Sequence, residues 1–323
     1  MNHKRHAARP LIHRTCLGLL LIAVILAGLS SARDPGAVHA QPAAEDPVAE
    51  AIAEIGALPG KTSVLITENG QEIGALNADT PLAVGSSFKM AVLLALRKQI
   101  EAGQHAWTEV VPLRPEWRVP GGVPLADWPD GAPFTIEAYA GFMISKSDNT
   151  ATDTVMGIVG RENIEPFTGR NRPLLNTRDL YTFKSTLSRD LLERWRSGDE
   201  AQRRALLASM AAMPLPTEGF LEVPYALDVE WYFSSRELCG LIEQVADLPV
   251  MGIASPLAPK EDWARVAFKG GSEPGVIAMT TQVQAADGRS YCVSAAWNND
   301  QTVVDPSALA AIQTRLFKAL KGE

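Results

Sequence analysis

Ser86 and Lys89 stand three residues apart at what reads as the start of a helix, about one turn, so they share a face. A serine hydroxyl is a weak nucleophile until a base takes its proton. A lysine amine is such a base when desolvation and nearby positive charge hold it neutral. The helix start adds unpaired backbone N–H groups that favour developing negative charge. A second group, Ser147-Asp148-Asn149, falls between two predicted helices. There Ser147 can pass a proton between Lys89 and a leaving group. Asn149 can orient Lys89 and hold a substrate amide. Asp148 reads as a structural brace for backbone N–H groups. A third group, Lys269-Gly270-Gly271-Ser272, is expected at the end of a strand. Lys269 supplies a positive field for a substrate carboxylate, and the glycines let substrate lie close to the strand. The N–H groups of Ser86 and Ser272 pair as a candidate oxyanion hole. Each group alone has a plain structural reading: a chance S-x-x-K, a helix cap, and a strand end before the Glu273-Pro274-Gly275 turn.

The rest of the composition narrows the chemistry. The chain of 323 residues carries 30 Lys and Arg against 37 Asp and Glu, a net charge of -7, which argues against general nucleic-acid binding. Four of the 5 histidines lie in the first 40 residues, so a chain trimmed there keeps only His105. That excludes a His-rich metal site. His105 follows a helix of about 15 residues, roughly 22 Å long, and is a poor base for Ser86. No metal or organic cofactor is expected, and the tryptophans read as core or rim.

The leader looks like an export signal. Lys4, Arg5, Arg9 and Arg14 precede an apolar run from Cys16 to Leu29, and Val38-His39-Ala40 suits cleavage. A retained signal anchor is the rival reading. Residues 1–40 are thus expected as signal peptide and 41–323 as the mature domain, secreted or periplasmic, with no stable membrane insertion and a monomeric state. Cys239 and Cys292 remain, as one disulfide or as two buried thiols.

The elements that must position these groups fall into three blocks. Pro47–Ala57 reads as a helix, and Thr62–Thr67 and Gln71–Asn77 as a hairpin around Glu68-Asn69-Gly70. Helices follow at Phe88–Gln104, Thr135–Met143, Asn149–Val159, Thr177–Arg196, Asp199–Met213 and Ser234–Ala246. Residues 112–133 are a Pro- and Gly-rich excursion. Strands at Ala264–Lys269, Gly275–Gln284 and Ser290–Trp297 precede a last helix at Ser307–Lys321. The pattern predicts an α+β fold. It has an antiparallel sheet of about five strands from residues 45–88 and 262–323, flanked by terminal helices. An all-helical second lobe spans 89–261, and the cleft between the lobes is the expected site.

The three groups together, in this order and on these elements, resemble the class A beta-lactamase-like serine hydrolases. The resemblance runs from about Thr62 to the last helix, and Ile144-Ser145-Lys146-Ser147-Asp148-Asn149-Thr150-Ala151-Thr152 is similar well beyond the core letters. It implies a beta-lactamase-like fold and Ser86 as the acylated nucleophile with Lys89 as base. Ser147 and Asn149 would form the second element, and Lys269, Gly270 and Gly271 the third, with Ser272 at the oxyanion hole. Substrate binding would fall to Asn149, Gly270, Gly271 and Ser272. The expected partner is a small beta-lactam, ester or peptidoglycan-like compound.

Two departures matter. Class A enzymes carry a glutamate four residues before an asparagine, and it activates the water that clears the acyl-enzyme. If Asn176 is that asparagine, Arg172 stands in the glutamate's place, and Glu162 and Glu165 have the wrong spacing. Gly270 replaces the usual Thr or Ser. The phrases Pro173–Leu180 and Glu230-Trp231-Tyr232 are similar to a divergent, beta-lactamase-related branch. Glu230 and Glu273 are candidates for positioning water, against structural readings of both. The alternatives to an acyl hydrolase are a penicillin-binding sensor or trap, a carboxypeptidase-like protein, and a non-catalytic scaffold.

Overall fold

The computed structural model describes residues 46–119 and 124–322. The expected leader, its cleavage site and Cys16 lie outside the described residues. In chain order, α1 (Pro47–Ala57) precedes strands β1 (Lys61–Glu68) and β2 (Gln71–Leu76). A short β3 (Leu82–Ala83) leads through a 3-10 turn, Gly85–Phe88, into α2 (Lys89–Glu101). Strands β4 (Val110–Pro112) and β5 (Pro133–Thr135) frame the excursion. Then come α3 (Ile136–Ser145), α4 (Asn149–Val159), α5 (Arg161–Ile164), α6 (Thr177–Lys184), α7 (Arg189–Ser197) and α8 (Glu200–Met210). The chain ends with β6 (Tyr232–Phe233), α9 (Ser235–Glu243), β7 (Arg265–Glu273), β8 (Val276–Gln284), β9 (Ser290–Asn298) and α10 (Pro306–Lys321).

Both ends of the chain build one sheet, as expected. Its five strands run in the order β2-β1-β9-β8-β7 and every pair is antiparallel. Asn69 and Gly70, with φ of 49° and 75°, turn the β1–β2 hairpin, where two left-handed residues match the twist of the strands. Strands β1, β8 and β9 are buried on both faces. Val64, Ile66, Val293 and Ala295 face α1 and α10, while Leu65, Ala267, Ala278 and Ala296 belong to the core shared with α2 and the other helices. Small residues on that second face let α2, α9 and the 3-10 turn approach closely.

Local chemistry sets the helix starts. Thr135, Asp148, Asn176 and Ser234 each accept an N–H of the first turn, and Asn176 and Ser234 do so in reciprocal capping boxes. Three expectations are corrected. The single helix foreseen over Thr177–Arg196 is two, α6 and α7, because the Ser185 hydroxyl accepts Leu187 N–H and Thr186 N–H goes to Gly219 O, diverting the backbone from helical bonding. The strand carrying Lys269 continues to Glu273, so the lysine is mid-strand. The paired strands β3–β6 and β4–β5 were not foreseen, being only two and three residues long.

Cys239 on α9 and Cys292 on β9 form a disulfide, with a Cα–Cα distance of 6.0 Å. It ties a helix to the central strand across 53 residues of chain. Replacing both cysteines by serine should lower unfolding stability by about 2–4 kcal/mol, measured by denaturant titration under non-reducing conditions. A loss under about 0.5 kcal/mol would mean the two elements hold together without the bond.

Candidate active site

Ser86 sits in the 3-10 turn, and backbone contacts fix that turn from two sides. Val84 N–H donates to Trp231 O at 3.0 Å, extending the β3–β6 pairing, and the Phe88 ring stacks on Trp231 with centroids 3.8 Å apart. On the other side the turn meets β7. A Cβ on Gly271 would lie 2.1 Å from Val84 O and 2.4 Å from Ser86 N, and one on Gly85 would lie 2.9 Å from Ser272 N. Two glycines facing each other therefore let the backbones of turn and strand touch. This contact brings the Ser86 and Ser272 N–H groups into one neighbourhood, which is what an oxyanion hole requires.

Lys89 opens α2 and is completely buried. Its Nζ donates to Ser147 O at 2.7 Å and Asn149 Oδ1 at 2.8 Å, and lies 3.3 Å from Ser147 Oγ. The first two partners only accept. A neutral amine satisfies both with its two hydrogens and keeps its lone pair for a hydroxyl proton. Burial, and then the charge of Lys269, hold its pKa well below the usual lysine value. Lys269 Nζ lies 3.1 Å from Ser147 Oγ and donates to Gly270 O, and burial lowers its pKa to about 7. Ser147, at φ 55°, thus bridges two buried amines. Among the described residues the Ser86 hydroxyl has no hydrogen-bond partner in this resting state, and such contacts often tighten only with substrate bound.

The brace expected of Asp148 is present: its carboxylate accepts Ala151 N–H at 2.7 Å and Leu125 N–H at 2.9 Å. Sequence reasoning missed the next turn of α4. Asp153 accepts Thr177 N–H, Thr177 Oγ1–H and Arg178 N–H, and Thr177 Oγ1 also lies 3.2 Å from Asn149 O. The start of α6 is thereby pinned to Asn149. Burial raises the Asp153 pKa to about 6. The spacing of four from Asn149 was the available signal.

A cleft of about 250 Å³ opens beside this cluster, bordered by Ser86, Asn149, Tyr181, Glu230, Ser272 and Glu273. Lys89, Ser147, Asn149 and Lys269 meet in one hydrogen-bonded cluster, and Ser86, Asn149 and Ser272 border the cleft. Gly271 packs its Cα side against the turn. Gly270 does not border the cleft, and a side chain there would begin 3.0 Å from the Phe268 ring. Arg172 is exposed and borders a separate recess with Trp195, Arg203 and Asp228. Glu165 is a buried anchor for Arg204 and Leu174 N–H. His105 pairs with Glu109 at 2.8 Å. No group of His, Cys, Asp and Glu that could hold a metal occurs among the described residues.

Residues 47–190 match the model of the Beta-lactamase2 family, described as the Beta-lactamase enzyme family. No curated protein sequence matches the chain. Among solved structures, a beta-lactamase from Sphaerobacter thermophilus DSM 20745 is similar at 21% identity and TM-score 0.59, covering 85% of this chain and 97% of that one. A beta-lactamase from Francisella tularensis gives 12% and 0.59, over 85% and 98% of the two chains. The structure of PBP-A gives 16% and 0.55, over 86% and 96%. These likenesses establish the fold. The family match covers the first half of the described domain, and no relative adds to it.

The glycine contact generates a prediction. Gly271→Ala forces a methyl group into backbone atoms at 2.1–2.6 Å, so turn and strand must separate. Acylation of Ser86 should slow by about 10²-fold, the usual cost of losing one oxyanion donor. The second-order rate of adduct formation, followed by intact mass, measures this, and an unchanged rate would show that the contact does not set the donors.

Proposed function

We propose that this chain is a beta-lactamase-like protein and an exported serine hydrolase working through an acyl-enzyme on Ser86. The observation that carries the reading is Lys89: an amine sealed from water, kept basic, and hydrogen-bonded to Ser147 and Asn149 three residues from the serine. Lys89 takes the Ser86 proton as Oγ attacks the substrate carbonyl. The oxyanion rests on the N–H groups of Ser86 and Ser272. The proton then passes from Lys89 through Ser147 to the leaving group, and Asn149 holds the acyl amide. Lys269, as an ammonium, holds the substrate carboxylate.

The substrates proposed are beta-lactams, esters or related amides, without a cofactor. Release is the slow step, because Arg172 occupies the position of the class A glutamate and lies outside the cleft. Lys89, neutral again once the leaving group has its proton, is the base left for incoming water. The same observation favours a second reading, a penicillin-binding sensor or trap whose adduct persists. Export is supported by the basic and apolar leader and by the disulfide, which suits an oxidising compartment. No helix of the described residues is long and apolar enough to cross a membrane.

Intact mass of the protein, followed after mixing with a penicillin or cephalosporin, tests the core of this reading. An adduct that forms and decays with product, and is absent in Ser86→Ala of unchanged fold, is expected. A persistent adduct selects the trap. Turnover retained in Ser86→Ala overturns both.

The two lysines also set a pH dependence. Acylation should rise with pH as Lys89 loses its proton, and fall above about 7 as Lys269 loses its charge. Because the lysines interact, each limb belongs to the pair. Lys269→Arg keeps the charge at every accessible pH and should remove the falling limb for a substrate bearing a carboxylate. A falling limb that persists would assign it elsewhere.

A further inference from the structure

Away from Ser86 the cleft ends on a polar cluster that acyl transfer leaves unused. Lys184 on α6 donates to Glu273 Oε1 at 2.7 Å, Tyr225 O at 3.0 Å and Ala226 O at 3.1 Å, which spends all three of its hydrogens. Glu230 accepts Trp231 N–H at Oε2, whereas its buried Oε1 has no hydrogen-bond partner and lies 4.0 Å from Lys184 Nζ. Burial, and then the charge of Glu273, push the Glu230 carboxyl well above its usual range. Two carboxyl groups thus share one lysine and, at rest, one proton, and once that proton leaves the capacity left over is for accepting hydrogen bonds. Buried acceptors without partners are rare in native proteins and call for an occupant.

The placement shows what that occupant touches. Glu273 is two residues along β7 from Gly271, which packs on Ser86 N, so about 7 Å separates the two positions. Lys184 is seven residues along α6 from Thr177, which touches Asn149 O, or about 10 Å. The Glu273 carboxylate is turned toward Lys184, away from the reacting end. A base for water attacking the Ser86 ester must sit within about 3 Å of that water. Lys184 and Glu273 therefore meet the far end of a bound acyl group rather than the hydrolytic water, and Glu230 Oε1 faces them 4.0 Å from Lys184 Nζ. Leu180, Tyr181, Phe220, Leu221 and Val223 line the cleft with apolar surface, and the last three are exposed at 41%, 44% and 54%.

We propose that this cleft selects acyl groups with an apolar body ending in a primary amine, held by Glu273 and Glu230. A cationic donor fits, because Lys184 has no hydrogen left for an anion and Glu273 repels one. An ammonium takes the place of the proton that the crowded Glu230 carboxyl otherwise holds, giving two carboxylates opposite two cations. Calling the ligand an acyl group rests on the Ser86 reading, whereas recognition of an amine does not.

Calorimetry on the full chain carrying Ser86→Ala, which prevents turnover, tests the proposal with para-(aminomethyl)phenylacetamide and its near-isostere para-ethylphenylacetamide. The amine should bind at least about tenfold more tightly, as for a charge-assisted hydrogen bond. Glu273→Gln and, separately, Glu230→Gln should each remove most of that preference while leaving affinity for the ethyl compound unchanged. Equal affinities for the two amides, or a preference that survives both substitutions, would overturn the proposal. Its fate is separable from that of the hydrolase reading. Amine-selective binding in a chain whose Ser86 never forms an adduct upholds recognition and rejects acylation. Equal binding beside a Ser86 adduct does the reverse.

Discussion

An amine shut away from water is the constraint around which this protein is arranged. Lys89 has no access to solvent, so its nitrogen must find protein partners or lose its charge. The structure does both. Two acceptors on the Ser147–Asn149 segment take its hydrogens, and Lys269 beside it disfavours the charge. Meeting that demand fixes much else. The Ser147 carbonyl reaches the amine from a left-handed residue between α3 and α4, Asp148 braces the loop from beneath, and Asn149 begins the next helix with its side chain turned back. A helix interior supplies none of these acceptors, which is why the site lies where two helices meet.

The groups around the cleft come from distant parts of the sequence, and backbone contact rather than side-chain length brings them together. Gly85 and Gly271 remove the atoms that would separate the turn from β7, and Trp231 closes the opposite side with a ring and a carbonyl. The sheet supplies rigidity, since β7 pairs along its length with β8, which is buried on both faces. Placement of two N–H groups for one oxygen is thus a property of main-chain packing, and it tolerates little variation.

Much of this was legible in the sequence. Serine and lysine at a helical spacing, a polar loop between helices, and a lysine on a strand are local patterns, and local patterns survive translation into structure. The sheet was legible because alternation and turn residues at both chain ends are strong signals. What escaped notice depends on long-range contact. Lys184 looks like an ordinary helix-end lysine until β7 delivers Glu273 to it. Gly271 reads as space for substrate until the turn is seen to fill that space. The break at Ser185 arises from a competing hydroxyl that helical periodicity does not register. Arg172 was read correctly as unable to be a base, but its direction out of the cleft had no counterpart in the sequence.

That direction bears on how this protein could change over evolutionary time. The segment from Glu165 to Thr177 is moored at both ends, by Glu165 to Arg204 and Leu174, and by Thr177 to Asp153. Its path commits residue 172 to the outer recess whatever side chain stands there. Replacing that arginine by an acid would place a carboxylate in solvent, separated from the serine by Glu230 and Trp231. A carboxylate beside Ser86 is therefore not one substitution away at that position. A lineage would first have to lose the moorings and reroute the segment, passing through intermediates with a weakened α6 and no gain in turnover. The loop acts as an evolutionary latch, holding position 172 on the outer side while the serine and its buried lysine stay where they are.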